Sequence, residues 1–120
     1  MKITTVIIKE GNRERLWDEV ESKYGIIAII GSDYTKNEMA ESARELFQDK
    51  PIFARLEKSK NNSDIDFMIF SSRHLSRAIF KAIAELLHAL ANLDDNGGVI
   101  IKTKVLKTLL SKKRYAELIR

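Results

Sequence analysis

Ser71-Ser72-Arg73, with Arg77 and Lys81 four and eight positions beyond Arg73, is the segment whose residue types most invite chemistry. On a helix capped by Ser71 or Ser72, positions i, i+4 and i+8 drift by only about 40° per step and form one basic ridge. The free amides of a first helical turn add partial positive charge suited to a phosphate, and the two serines could add hydroxyl contacts. The ridge would lie mainly opposite Leu75, Ile79 and Ile83, so it could stay wet while the helix packs. A solubilising outer face, with Arg73 or Arg77 paired locally, is the competing reading.

A larger basic cluster closes the chain. Ile101–Arg120 hold seven bases (Lys102, Lys104, Lys107, Lys112, Lys113, Arg114 and Arg120) against one acid, Glu117. The first sixty residues carry eleven bases and eleven acids, so the formal +4 arises wholly from the second half. Charge placed so unevenly is the footprint of a polyanion partner, most often nucleic acid; the alternative is a solvated lysine-rich helix. The strand Lys102-Thr103-Lys104 alternates against Ile101 and Val105, so both lysines are expected on the opposite face, available to RNA phosphates. Ile100 shares that face, and Tyr34, Phe53, Phe67 and Phe70 are scattered and expected in the core. Phosphate contact is therefore expected, and base stacking is not.

Other constellations are weaker. His74 and His88, if on one helix, lie 14 residues and about 21 Å apart, too far to share a metal. Asp64 and Asp66 share a strand face and could hold Mg²⁺, but with no third acid at a motif spacing they are expected to flank a turn. Asp94-Asp95-Asn96-Gly97 lacks the later glutamate of a calcium loop and is expected to be a turn. There is no phosphate-binding loop, no dinucleotide fingerprint and no nucleophile elbow. No catalytic residue, cofactor or metal is expected, and a self-contained enzyme is not indicated.

These residues are carried by a chain of 120 residues, 44% hydrophobic and 32% charged, which suits one domain spanning residues 1–120. It has no cysteine, which excludes disulfides and thiolate metal sites and makes a cytoplasmic location the simpler expectation. No apolar stretch approaches the length of a membrane span.

Ile3–Lys9 is expected to be a strand, followed by a helix over about Arg13–Lys23 capped by Asn12. Ile26–Ile30 is continuously apolar, as in a strand buried on both sides. After a turn at Gly31-Ser32-Asp33, Thr35-Lys36-Asn37-Glu38 is a capping box opening a helix that carries Met39, Ala43, Leu46 and Phe47. Ile52–Leu56 and Ile65–Phe70, joined by the polar turn Lys58–Ser63, form a hairpin. The longest helix is expected over about Arg73–Leu93, then a strand over Val99–Val105 and a basic amphipathic helix over Leu106–Ile119. The order specifies an α+β fold: a ferredoxin-like split βαβ sandwich with an extra N-terminal β-α unit and a C-terminal basic helix.

With the elements placed, residues from about Tyr24 to Thr108 resemble the Pop-five-like protein subunits of archaeal and eukaryotic ribonuclease P. The matching features are Tyr24-Gly25-Ile26-Ile27, the helix start Lys36-Asn37-Glu38, and a hairpin running into Met68-Ile69-Phe70-Ser71-Ser72-Arg73. The basic helix Arg77-Ala78-Ile79-Phe80-Lys81-Ala82-Ile83 and the strand Gly98-Val99-Ile100-Ile101-Lys102-Thr103 complete them. The family's Ser-Gly-Thr-Ile after the last strand is replaced by Leu106-Lys107-Thr108-Leu109, and Phe47-Gln48-Asp49-Lys50 stands at its Gly-Glu-x-Gly turn. The resemblance implies a non-catalytic subunit that binds a structured RNA in tRNA 5′-end processing and pairs with a second protein subunit. A shorter likeness, Asp66–His74, is to archaeal D-aminoacyl-tRNA deacylases, whose following histidine and glycine motif is absent. The competing class is a protein–protein module, such as a self-associating homodimer that uses the sheet face or the terminal helix.

Overall fold

The β-branched run Thr5–Ile8 forms strand β1 in the computed structural model, which describes residues 3–30, 35–58 and 66–119. Helix α1 (Glu10–Tyr24) follows at once. The Lys9 carbonyl already accepts from the Asn12 and Arg13 amides, both at 3.0 Å, so Gly11 and Asn12 lie inside the first turn. Asn12 is therefore not the cap. Glu10 sits at the positive end of the helix dipole, where a carboxylate is favoured. The next elements are β2 (Ile27–Ile30), α2 (Lys36–Phe47), β3 (Phe53–Lys58) and β4 (Asp66–Ser71). Helix α3 (Arg77–Ala91), β5 (Val99–Lys102), α4 (Thr103–Leu109) and α5 (Lys112–Leu118) complete the mixed α/β chain.

The chain divides into two compact units, one of Met1–Val20 with Ser76–Arg120 and one of Glu21–Leu75. In the first, β1 and β5 pair antiparallel with Val6 opposite Ile101 and Ile8 opposite Val99. One face of this ribbon buries Ile8, Val99 and Ile101, while Ile7 and Ile100, also directly paired, stay more than half exposed. Helix α3 turns Phe80, Ala82, Ile83, Ala84 and Leu86 inward and packs against α4 and β5. Leu16 and Val20 of α1 and Val105, Leu106 and Leu109 of α4 are buried as well. The turn before β5 is clasped by Asp94, whose Oδ1 accepts from the Asn96 and Gly98 amides at 3.0 and 2.7 Å.

In the second unit the strands run β2-β4-β3, all antiparallel, with Ile27 and Phe53 both opposite Ser71. Met39, Ala43 and Phe47 from α2 pack on Phe70, with Ile26, Ala28 and Met68 around them. Leu46, expected on the same stripe, is 55% exposed. The hairpin strands pair as expected, from Phe53 with Ser71 to Lys58 with Asp66. The turns at Gly31-Ser32-Asp33 and within Lys58–Ser63, along with Tyr34 and Asp64, fall on or run into positions outside the described residues.

The ferredoxin-like arrangement is not shown, and two further expectations are corrected. The ferredoxin-like plan would place β5 beside β2; among the described residues β2-β4-β3 keeps that plan's internal order, but β5 is bonded to β1 instead. The strand expected through Val105 ends at Lys102, because Thr103 opens α4. Its amide donates to the Thr4 carbonyl at 2.9 Å and its hydroxyl to the Ile3 carbonyl at 3.1 Å, closing the ribbon. From there Val105, Leu106 and Leu109 bury at helical rather than strand spacing. The single helix expected over Leu106–Ile119 is two, broken where Ser111 caps α5 by accepting from the Arg114 amide at 3.2 Å.

Candidate nucleic-acid interface

Division into units sharpens the charge asymmetry. The unit of Met1–Val20 and Ser76–Arg120 carries thirteen Lys/Arg against eight Asp/Glu, whereas Glu21–Leu75 carries eight against nine. The whole excess of positive charge therefore belongs to one unit, at net +5, while the other is at net −1.

Within the basic unit, Arg77 and Lys81 are exposed and one helical turn apart on α3. Lys102 ends β5, on the same ribbon face as Ile7 and Ile100. Lys104 and Lys107 occupy the exposed side of α4, opposite buried Val105, Leu106 and Leu109. Lys112 and Lys113 are exposed in the first turn of α5. No carboxylate of the described residues pairs with any of these seven bases. The Lys107 ammonium lies 5.6 Å above the Tyr115 ring, a contact that ties α4 to α5 without neutralising the charge.

Arg114 is different. Its Nε donates to both carboxylate oxygens of Glu19, at 2.9 and 2.8 Å, and its Nη1 reaches Glu117 at 3.4 Å. The side chain is only 16% exposed, and Nη2 is buried with no hydrogen-bond partner among the described residues. The Glu19 hydrogen bonds raise the guanidinium pKa, against the opposing effect of burial. This arginine braces α5 on α1.

Arg73 also departs from its expected place. Helix α3 begins at Arg77 with Ser76 as its cap, accepting from the Ile79 amide at 3.3 Å, so neither Ser71 nor Ser72 caps it. Arg73 precedes the helix and belongs to the other unit, and the three-residue ridge does not form. The physical reason is that both serines serve the sheet end. Ser72 Oγ accepts from the Ile26 amide at 2.9 Å, and Ser71 Oγ from the Arg73 amide at 3.2 Å.

His74 likewise lies before α3, its ring edge-on to Phe53 at 5.4 Å, while His88 is in the last turn of the helix. Asp64 and the side chain of Asp66 lie outside the described residues. Among the described residues no three His, Cys, Asp or Glu side chains gather as metal ligands, and no helix is long and apolar enough to cross a membrane. Sequence reasoning missed the Arg114–Glu19 brace and a cleft beside Gly25. Only a glycine just past an expected helix end hinted at the second.

No protein-family model matches the chain, and no curated protein or solved structure matches it.

Proposed function

We propose that the chain is a non-catalytic RNA-binding subunit that holds a structured RNA through phosphate contacts. One observation carries the reading: the entire charge excess lies in one unit, whose exposed lysines Lys102, Lys104, Lys107, Lys112 and Lys113 have no carboxylate partner among the described residues. Arg77 and Lys81 extend the set. Arg114 contributes through the brace on α5 rather than through phosphate. The Pop-five-like resemblance gives the reading its specific form, a protein component of a ribonuclease P-type particle acting in tRNA 5′-end processing within the cytoplasm. Filter binding over a salt series tests the general form. Each phosphate contact removed by a Lys→Gln change lowers the log–log salt slope by about 0.7–0.9. Wild-type slopes in Lys104→Gln/Lys107→Gln would refute it.

The outer face of the β1–β5 ribbon supports a second reading, a protein-docking module. Ile7 and Ile100 are each more than half exposed there, with Lys102 on the same face. A surface of this kind suits a second protein subunit or self-association. Light scattering distinguishes the two: self-association yields a dimer that Ile7→Lys returns to monomer.

A further inference from the structure

The second unit holds a cleft of about 450 Å³ where β2 and β3 begin and β4 ends, lined by Glu21, Lys50, Pro51, Ser72 and Arg73 around the Gly25-Ile26 peptide. We propose that this cleft binds a phosphate monoester carried on a sugar: a nucleoside monophosphate, or the phosphorylated end of an RNA strand. Its volume suits a small-molecule ligand of that size.

Gly25 has φ +91°, and a Cβ there would lie 2.5 Å from Ser72 Oγ and 3.1 Å from Arg73 Cγ. Its missing side chain is what lets both residues close over the peptide. Ser72 Oγ accepts from the Ile26 amide at 2.9 Å, leaving its hydroxyl proton available to a ligand oxygen. Arg73 Nη1 donates to the Lys23 carbonyl at 2.8 Å, which positions the guanidinium while Nε and Nη2 keep no partner among the described residues. Lys50 is exposed, and its side chain forms no ion pair among the described residues. A planar fork, an ammonium and a hydroxyl together match the oxygens of a phosphate. Glu21, the one carboxylate of the lining, opposes a bare anion but can accept from a sugar hydroxyl. That places the phosphate near Arg73 and Lys50 and the sugar near the end of α1. Pro51 and Ile26 offer apolar surface to the base.

The lining residues all belong to the second unit, and the test uses a mononucleotide. Adenosine monophosphate, titrated into the full chain and followed by ¹H–¹⁵N spectra, is expected to shift the Gly25, Ile26, Ser72 and Arg73 amides saturably. Adenosine should bind at least about tenfold more weakly, as should adenosine monophosphate to Arg73→Gln or Lys50→Ala. Both side chains are exposed, and circular dichroism checks that each variant folds. Glu21→Gln should keep inorganic phosphate binding while reducing the advantage of the nucleotide over it. Displacement by a 5′-phosphorylated oligoribonucleotide, with the 5′-hydroxyl form inert, assigns the site to a strand end. Failure to displace assigns it to free mononucleotide. Absence of a saturable shift at these amides, equal binding of adenosine, or unchanged binding by both variants would overturn the proposal.

Discussion

Arg114 holds together parts of the chain that are 95 residues apart, and its chemistry is that of a brace. Removing it by Arg114→Ala leaves the partly buried Glu19 without its main donor. The loss should be about 1.5–3 kcal/mol, seen as a lower urea midpoint with little change in slope. The pKa of this group is raised, so its stabilisation is complete below the ordinary arginine range and is lost only as pH climbs past it. Stability from the brace should therefore be flat across neutral pH, checked by comparing wild type with Arg114→Ala at several pH values. From sequence, Arg114 was indistinguishable from Lys112 and Lys113, since nothing local marks Glu19 as its partner. Long-range pairing is what composition and spacing do not carry. Gly25→Ala is a second test at this scale. The positive φ and the approach of Ser72 Oγ should make it cost about 1–3 kcal/mol, measured by the same urea unfolding.

Elements whose determinants are local were legible before any coordinates. The Thr35–Glu38 capping box forms as its spacing dictates, with the Glu38 amide donating to Thr35 Oγ1 at 3.2 Å and the Thr35 amide to Glu38 at 3.1 Å. The Thr35 amide, by donating to the carboxylate, holds the Glu38 pKa below its ordinary value. A lowered carboxylate pKa means the contribution is present above the unfolded value of 4.5 and fades as pH falls through the folded value. The Glu38 contribution to the start of α2 should therefore weaken below pH 4.5, and Glu38→Gln should blunt that pH dependence in amide-exchange measurements. Thr35→Ala should cost about 1 kcal/mol at neutral pH, read from thermal unfolding. Elements at the mercy of packing were misread. Val99–Val105 alternates like a strand, yet Val105 is drawn into a helix because Leu106 and Leu109 bury with it. Residues 73–76 have helical composition, yet Ser72 is committed to β2 through Ile26, and the helix starts only at the Ser76 cap.

At the scale of the whole molecule, the α+β class was readable from the order of periodic segments, whereas the partnering of β5 with β1 was not. Alternation in Thr5–Ile8 and Val99–Lys102 gives each strand one buried face but says nothing of which neighbour it will choose. The uneven charge was readable too, and division into units turns it from a tail into a property of one unit, at net +5 where the other has net −1. Exposed lysines without carboxylate partners are the surface that a phosphate backbone would neutralise, releasing its counterions. The most direct measurement is the salt dependence of binding to a structured RNA for wild type and for Lys104→Gln/Lys107→Gln/Lys112→Gln/Lys113→Gln. The account predicts a steep wild-type slope that flattens by roughly 3 units in the quadruple variant. A wild-type affinity indifferent to salt, or a quadruple variant with the wild-type slope, would contradict it.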